Sequence, residues 1–220
     1  MFIHNLGLEN SVLNQFVLEL RDVEIQKDSM RFRKNIERIG EILGYELSKT
    51  LHYKDKIIQT PLGAKKVSIP EEELVLCSIL RAGLPLHQGL LNYFDKAENA
   101  YISAYRDHKD SEGDEDHFEV VVNYLASPSQ QDKTLILADP MLATGKTLEN
   151  TYRAMKGHGK PKQIHIVSVI GSEQGVSYAK NVFPENTHLW IAAIDEKLSS
   201  RSYIVPGLGD AGDLSFGVKL

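Results

Sequence analysis

The chain has 220 residues, of which 42% are hydrophobic and 25% charged, with one cysteine and a net charge of −5. This length is typical of one domain whose core needs no disulfides, and one cysteine excludes an internal disulfide and a multi-cysteine metal site. No apolar run approaches the ~20 residues of a membrane-spanning helix. The negative charge argues against a nucleic-acid binder that works by bulk electrostatics.

The first residues, Met1 to Gly7, carry no mark of a secretory signal peptide. They lack the basic flank and the apolar core that such a peptide needs, which predicts a cytoplasmic protein. Together with the negative charge and the lack of a long apolar run, this pattern leads us to expect neither a membrane nor a nucleic acid as a partner.

The N-terminal quarter has a helical pattern. Residues 11–51 place apolar side chains three or four positions apart, which is the spacing of one helix face. This stripe consists of Phe32, Ile36, Ile39, Leu43, Leu47 and Leu51. Asp28 or Ser29 can cap the start of this helix, and a shorter helix is expected around residues 13–20. The pattern predicts helices that pack against the core.

From residue 57 onward, short apolar runs alternate with helical segments. The runs predict strands at residues 74–80, 100–105, 118–124, 134–138, 163–170 and 187–194. Helices are predicted at residues 84–94, 148–156 and 176–183. Alternating strands and helices indicate βαβ units, and so an α/β fold with a mainly parallel sheet flanked by helices. In such a sheet, ligands bind on the loops at the carboxyl ends of the strands.

The strongest functional signal lies in residues 134–147. An apolar strand ends at Asp139, a tight loop contains Thr144 and Gly145, and a helix begins near Thr147. Backbone N–H groups at a helix N-terminus, together with threonine hydroxyls, suit a phosphate monoester. A carboxylate at the strand end suits the vicinal hydroxyls of a sugar or a metal-bound water. The string predicts a loop that binds phosphate at one end and ribose at the other; the alternative is a loop that only caps the helix.

The end of this string resembles a P-loop, but the rest of it does not. A P-loop that ends in Gly145-Lys146-Thr147 requires a glycine at position 140, where this chain has Pro140. Proline also removes a backbone donor from the phosphate cradle. We therefore reject a P-loop kinase.

An arginine follows each of two neighbouring predicted strands. Arg81 follows the run 74–80, and Arg106 follows the run 100–105. A charged group at the end of a buried strand needs an anionic ligand or a carboxylate partner. Arg81 alone fits a structural salt bridge, whereas two arginines at adjacent strand ends favour a pyrophosphate clamp.

The C-terminal run at residues 203–213 is rich in glycine. Gly207, Gly209 and Gly212, with Pro206, leave backbone N–H and C=O groups available to a flat ligand. The edge of a pyrimidine carries donors and acceptors that such a backbone can read. A flexible tail is the alternative.

The negative charge of the chain is concentrated in one loop. Seven acidic residues and one lysine lie between residues 107 and 119, directly after Arg106. Because a negative loop beside a pyrophosphate pocket would repel the ligand, we expect it to project outward, toward solvent or a partner subunit. Cys77 lies in an apolar run and is expected to be buried and unreactive.

These motifs resemble the uracil phosphoribosyltransferases. The strings that carry the resemblance are ILRAGL at 79–84, YRD at 105–107, DPMLATGKT at 139–147, AAIDE at 192–196 and YIVPGLGDAGD at 203–213. They occur in the family's order. The resemblance implies the type I phosphoribosyltransferase fold over a single domain, residues 1–220. N-terminal helices would occupy 1–56, a core 57–194 with a β-arm at 107–124, and a uracil-binding hood loop 195–220.

The implied reaction transfers the 5-phosphoribosyl group from phosphoribosyl pyrophosphate to uracil, giving UMP and pyrophosphate. Arg106 and Asp210 would be the catalytic residues, and Arg81, Arg106 and Asp210 would contact phosphoribosyl pyrophosphate. The ribose 5-phosphate would be held by Asp139, Pro140, Met141, Leu142, Ala143, Thr144, Gly145, Lys146 and Thr147. Uracil would be bound by Tyr203, Ile204, Gly209, Asp210 and Ala211.

The resemblance also implies a cofactor and partners. The wider superfamily has two adjacent acids where this chain has Asp139-Pro140, so Mg²⁺ would be held mainly by the pyrophosphate substrate, with no metal site of the protein. A homodimer or homotetramer and activation by GTP are implied as well. The alternative function is a non-catalytic regulator that senses nucleotides on the same fold.

Overall fold

The structure, a computed structural model, describes the backbone of residues 1–107 and 119–219 and the side chains of residues 1–103 and 123–219. The Arg106 side chain and most of the acidic loop at 107–119 lie outside the described residues. Their assigned roles, a pyrophosphate contact and an outward projection, therefore stay predictions.

The described residues form six α-helices; the first five agree with the helical patterns in the sequence, whereas the last, in the C-terminal run, is not predicted by them. The helices are α1 (Leu13–Arg21), α2 (Ser29–Ser48), α3 (Gly83–Leu91), α4 (Lys146–Met155), α5 (Glu173–Val182) and α6 (Ala211–Phe216). The predicted helices at 84–94, 148–156 and 176–183 are confirmed to within three residues at each end. The predicted stripe of α2 is buried, because its apolar side chains face the sheet and α3.

Twelve strands are present in the described residues. They are β1 (Phe2–Asn5), β2 (Tyr53–Thr60), β3 (Gly63–Pro70), β4 (Leu74–Leu80), β5 (Glu98–Asp107), β6 (Glu119–Ala126), β7 (Thr134–Ala138), β8 (Met141–Leu142), β9 (Gln163–Ser172), β10 (His188–Asp195), β11 (Lys197–Leu198) and β12 (Ile204–Val205). The main sheet has the order β1-β10-β9-β7-β4-β5-β6, with β8 beside β9. Its strands are parallel except for the antiparallel pair β5–β6. The mainly parallel α/β sheet is confirmed.

The register of the sheet brings the predicted functional loops to one edge. Ser78 of β4 pairs with Ala138 of β7, and Leu80 pairs with Ser103 of β5. Arg81 and Asp139 therefore follow neighbouring parallel strands at their carboxyl ends, which is where α/β sheets bind ligands.

Two features in the first third of the chain were not expected from the sequence. The segment 1–56 is not entirely helical, because β1 pairs in parallel with β10 at the edge of the main sheet. The strands β2 and β3 form a separate two-stranded sheet across the predicted boundary at 56/57. Most side chains of this hairpin are exposed on both faces, so it lacks the apolar alternation that predicts a strand. Across the described residues, we find no helix long and apolar enough to span a bilayer.

Candidate active site

The helix α4 begins at the loop that the sequence marks as a phosphate site. Gly145 is its N-cap residue, with φ of 80°, a left-handed conformation that glycine adopts without strain. The backbone N–H groups of the first helical turn have no acceptors within the helix itself, and the helix dipole adds partial positive charge there. Thr144 contributes a hydroxyl, whose Oγ1 accepts from the Lys146 N–H at 3.4 Å. The loop therefore presents donors to an anion.

The first half of the same loop belongs to the sheet. The N–H groups of Val169 and Ile170 donate to the carbonyl oxygen of Pro140, at 3.1 and 3.0 Å. Met141 and Leu142 form β8 against β9, and the Leu142 side chain is buried in the core. Residues 140–143 are thus fixed to β9, and residues 144–147 form the part that can receive a phosphate.

Three residues that the sequence interpretation did not single out brace this loop. The Ser172 hydroxyl donates to the Ala143 carbonyl at 2.6 Å and accepts from the Gly175 N–H at 2.8 Å. A Cβ atom on Gly175 would lie 2.2 Å from the Ala143 oxygen, so α5 approaches the loop as closely as a glycine allows. Ser168 of β9 donates to the Asp139 carbonyl. These contacts connect β9 and α5 to residues 139–147, which we call the phosphate loop after its predicted ligand.

Asp139 is buried at the end of β7. Its N–H donates to the Val167 carbonyl at 3.1 Å, and its Oδ1 accepts from the Met141 N–H at 3.2 Å. The backbone of the turn therefore orients the carboxylate at the strand end, as the sequence predicts. A carboxylate in this position can accept hydrogen bonds from vicinal hydroxyls.

Arg81 is held by the C-terminal helix. Its Nη2 group donates to Asp213 Oδ1 at 2.8 Å and to the Gly217 carbonyl at 2.9 Å. The arginine thus has a carboxylate partner, as the structural alternative for it foresees, and it remains partly exposed at the edge where Asp139 lies. Arg106 lies on the neighbouring strand β5, beyond the Leu80–Ser103 pair.

The C-terminal segment packs against the core, unlike a detached tail. A short ribbon of β11 and β12 precedes α6, and Ile204 and Ala211 are buried in the main hydrophobic core. Tyr203 and Gly209 are exposed, and Gly209 has φ of 91°. The predicted uracil-binding residues are thus held on one short stretch whose ends are fixed in the core.

Asp195 connects this segment to α1. Both of its carboxylate oxygens accept from Arg21 at 2.8 Å, and one also accepts from the Gly207 N–H at 2.8 Å. Burial works in the opposite direction, but these hydrogen bonds hold the pKa of Asp195 below its usual range. The string AAIDE contains Asp195, yet the residue types alone do not reveal a salt bridge to a helix 174 positions away.

Asp210 is the N-cap residue of α6. Its Oδ1 accepts from the Asp213 N–H at 2.9 Å. One oxygen of this predicted catalytic carboxylate therefore orders the helix that contacts Arg81, so the predicted uracil segment and the Arg81 loop meet at α6.

The donors near the loop suit a metal that arrives with its substrate. Within the described residues, no group of three or more His, Cys, Asp or Glu side chains is arranged to hold a metal ion. Asp139 and Asp210 are single carboxylates on separate loops. Mg²⁺ commonly binds through one or two carboxylates together with substrate phosphates, which this donor set fits.

Two cavities in the described part of the chain lie away from these loops. One of about 650 Å³ lies between α1 and the end of β10, and one of about 470 Å³ lies near the starts of β7, β9 and β10. Neither is lined by residues 139–147 or 203–213. We assign the candidate active site from the polar groups at the carboxyl edge of the sheet and not from a cavity.

Comparisons with known proteins identify the family of the chain. A family model described as "Uracil phosphoribosyltransferase" matches residues 8–218. A uracil phosphoribosyltransferase of Porphyromonas gingivalis is 53% identical over 220 residues, with 100% of both chains covered. One from Thermococcus gammatolerans is 36% identical over 215 residues, covering 96% of this chain and 92% of the relative.

A solved structure has the same overall architecture. The AQ2163 protein from Aquifex aeolicus superposes with a TM-score of 0.86 at 29% identity, with 100% of both chains covered. The family match spans nearly the whole chain and includes all five strings on which the resemblance depends. The chain belongs to the uracil phosphoribosyltransferase family, and its mainly parallel sheet flanked by helices is the type I phosphoribosyltransferase fold.

Proposed function

We propose that this chain transfers the 5-phosphoribosyl group from phosphoribosyl pyrophosphate to uracil, giving UMP and pyrophosphate, at the carboxyl edge of its sheet. The observation that carries the proposal is the meeting of three loops there. The phosphate loop follows β7, the Arg81 loop follows β4, and the glycine-rich segment contacts Arg81 through α6. Family membership supports the same reaction.

The phosphate loop binds the ribose 5-phosphate in this proposal. The first-turn N–H groups of α4 and the hydroxyls of Thr144 and Thr147 donate to the phosphate oxygens, and Lys146 adds a cation. Asp139 accepts from the ribose hydroxyls. Residues 140–143 contribute by fixing this geometry, because their backbone is paired with β9.

The reaction needs charge stabilisation more than a nucleophilic side chain. Breaking the C1–pyrophosphate bond builds positive charge on the ribose and negative charge on the leaving group, so positioned charges lower the barrier. Arg81 and Arg106 bind the pyrophosphate. A Mg²⁺ ion would be held mainly by the pyrophosphate substrate, near Asp139 and Asp210, and would supply positive charge that neutralises part of the phosphate charge.

The segment 203–211 positions uracil. The backbone groups of Ile204, Gly209 and Ala211 read the edge of the base, and Tyr203 lies at the start of the segment. Asp210 lies between the base and the sugar, where its carboxylate can orient the base or accept a proton from it. This geometry aims the base nitrogen at the sugar carbon and keeps a carboxylate near the developing cation.

The non-catalytic regulator gains no support from the comparisons. Assembly as a homodimer or homotetramer, activation by GTP, a cytoplasmic location and a single domain over residues 1–220 stay predictions that the family resemblance supports.

The test is a nucleobase panel. The purified chain is incubated with phosphoribosyl pyrophosphate, Mg²⁺ and one nucleobase at a time, and nucleotide and pyrophosphate are measured. We expect UMP and pyrophosphate with uracil. Product with hypoxanthine only, or no product with any base, would contradict the proposed function.

A matched pair of variants locates the reaction on the sheet. Asp139 and Asp132 lie at opposite ends of β7, and Asp132 is exposed in a turn. We expect Asp139→Asn to lower kcat/KM by about 10- to 100-fold, the loss typical of a hydrogen bond to a charged group, whereas Asp132→Asn leaves it unchanged. Equal effects of both substitutions would contradict the placement of the site.

A further inference from the structure

The helix α6 lies between the segment proposed to bind uracil and the arginine proposed to bind pyrophosphate. Asp213, in its first turn, contacts both sides. Its N–H donates to Asp210 Oδ1 at 2.9 Å, and its own Oδ1 accepts from Arg81 Nη2 at 2.8 Å. The Gly217 carbonyl, at the end of α6, accepts from the same Nη2 at 2.9 Å. One end of the guanidinium is thus fixed by two acceptors on one helix.

Close packing holds the arginine in this position. A Cβ atom on Gly212 would lie 3.1 Å from Asp210 Oδ1, 3.8 Å from Arg81 Nε and 3.9 Å from Ala82 Cβ. The Arg81 side chain therefore lies against α6 at Gly212, where an added Cβ atom would be in van der Waals contact with Arg81 and in tighter contact with Asp210. On its other side, α6 is attached to α2, where Arg33 donates to the Ser215 carbonyl at 2.6 Å. The helix is a fixed support for the guanidinium.

The N–H groups of Arg81 that do not contact α6 indicate which ligand this arrangement can bind. Within the described part of the chain, both hydrogen bonds of Arg81 come from Nη2, so the two N–H groups of Nη1 can donate to a phosphate oxygen. A long side chain loses rotamer entropy when it binds a ligand, and fixing it beforehand removes much of that loss. Gly217 supplies a neutral acceptor, whereas Asp213 supplies the charge-assisted one.

We propose that Asp213 is a positioning residue for the reaction, which holds the Arg81 guanidinium in the orientation that binds the pyrophosphate of phosphoribosyl pyrophosphate. The proposal rests on the assignment of Arg81 to pyrophosphate. It predicts that Asp213 strengthens substrate binding through Arg81, although its negative charge taken alone would weaken the binding of an anion. A rise in the KM for phosphoribosyl pyrophosphate when Asp213 is replaced would therefore indicate positioning, whereas a fall would indicate that Asp213 competes with the substrate for Arg81.

The experiment measures both Michaelis constants in Asp213→Ala, Asp213→Asn and wild type. In Asp213→Ala, we expect the KM for phosphoribosyl pyrophosphate to rise about tenfold, the effect typical of one lost charge-assisted hydrogen bond, and the KM for uracil to change less than about twofold. Asp213→Asn retains an oxygen acceptor and should show a smaller rise. Calorimetric titration with phosphoribosyl pyrophosphate and Mg²⁺ should give the same order of affinities without turnover.

A double-mutant cycle tests whether Asp213 acts through Arg81. In an Arg81→Ala background, we expect Asp213→Ala to cause no further rise in the KM for phosphoribosyl pyrophosphate. Asp55→Ala is the matched control, since Asp55 also forms an ion pair but lies on the β2–β3 hairpin. This control should leave both Michaelis constants unchanged.

Four results would overturn the proposal. The KM for phosphoribosyl pyrophosphate could fall in both Asp213 variants, which indicates competition. It could rise by the same factor in the Arg81→Ala background, which indicates an independent role. Both Michaelis constants could rise together with a lower melting temperature, which indicates only a structural role. Lastly, Arg81→Ala alone could leave the binding of phosphoribosyl pyrophosphate unchanged, which would contradict the assignment of Arg81 to pyrophosphate. UMP formation by the wild type would still support the proposed function in that case.

Discussion

Gly175 is the residue on which the phosphate loop depends most directly for its shape. It lies in the first turn of α5, where a Cβ atom would come within 2.2 Å of the Ala143 oxygen and 2.7 Å of the Leu142 oxygen. Both oxygens belong to backbone that is already fixed against β9, so neither can move without disturbing the loop. A glycine in a helix usually weakens it, and here the close contact explains why one is present.

We expect Gly175→Ala to disturb the loop although alanine favours a helix. The methyl group must push α5 and residues 142–145 apart, and such overpacking costs about 1–3 kcal/mol. The KM for phosphoribosyl pyrophosphate should rise and the melting temperature should fall. Steady-state kinetics and thermal unfolding measure the two effects.

Gly157 provides the control for this substitution. It lies in the turn after α4, and a Cβ atom there would meet none of the described atoms within 4 Å. Gly157→Ala should change neither the KM nor the melting temperature. A Gly175→Ala variant indistinguishable from Gly157→Ala would show that the loop does not need this close contact.

At this scale the sequence predicts the polar groups of the candidate site but not the residues that support them. Asp139, Thr144 and Gly145 lie within one short string, so the strand, the turn and the helix start can be recognised together. Ser172 and Gly175 reach the same loop from the next βα connection, about 30 positions further on. Their role depends on the pairing of β8 with β9, which no local pattern contains.

Among the helices, α2 has the clearest start. Asp28 precedes it, and its Oδ1 accepts from the N–H groups of Met30 and Arg31 at 3.1 Å. These N–H groups have no acceptors inside the helix, so the carboxylate satisfies them. The stripe of α2 packs against α3 and the sheet, and the stability of this helix therefore contributes to that of the core.

We expect Asp28→Ala to lower the free energy of unfolding by about 1 kcal/mol, since it removes the N-cap. Urea denaturation should show a lower midpoint with an unchanged slope, and kcat/KM should be unaltered because α2 does not carry the proposed catalytic groups. Asp28→Asn keeps a capping acceptor and should resemble the wild type. A loss of the same size in Asp28→Asn would assign the effect to charge instead of the cap.

The elements could be predicted where burial imposes a pattern. The helix α2 and the strands β4 and β7 have long apolar faces or runs, so their positions follow from the sequence. The hairpin β2–β3 has mostly exposed side chains on both faces, and β1 has only four residues. Backbone pairing holds these strands in place, and it leaves little trace in the residue types.

Across the whole molecule, three strands at one end of the sheet share a cluster of aromatic rings. His165 lies on β9, His188 and Trp190 on β10, and His4 on β1. The His165 Nδ1 accepts from the indole N–H of Trp190 at 3.0 Å, and the rings of His4 and Trp190 stack at 3.8 Å. Burial, together with the smaller effects of the neighbouring His188 and His4, lowers the pKa of His165 to about 3.

This cluster predicts a loss of stability in acid. A histidine in the unfolded chain has a pKa of about 6.5, whereas folded His165 stays neutral down to about pH 3. Its stabilising contribution is therefore complete above pH 6.5 and declines as the pH falls from 6.5 toward 3, because the unfolded chain binds a proton that the folded chain does not. The free energy of unfolding, measured with urea at pH 7 and at pH 5, should be lower at pH 5.

His165→Asn provides the test of this assignment. Asparagine offers an oxygen acceptor to Trp190 but binds no proton in this range. The difference in unfolding free energy between pH 7 and pH 5 should be smaller in the variant than in the wild type. An equal difference would mean that other groups cause the acid sensitivity.

The pairing of β1 with β10 has a consequence for the order of folding. It places Phe2 opposite His188, so it joins residues far apart in the chain, and closing so long a loop costs more entropy than any other pairing in the main sheet. Long-range contacts also form slowly. We expect β1, a four-residue edge strand, to join after β9 and β10 have paired and to separate first in local opening. A tag fused at Met1 would therefore be attached to the strand that we expect to join the sheet last.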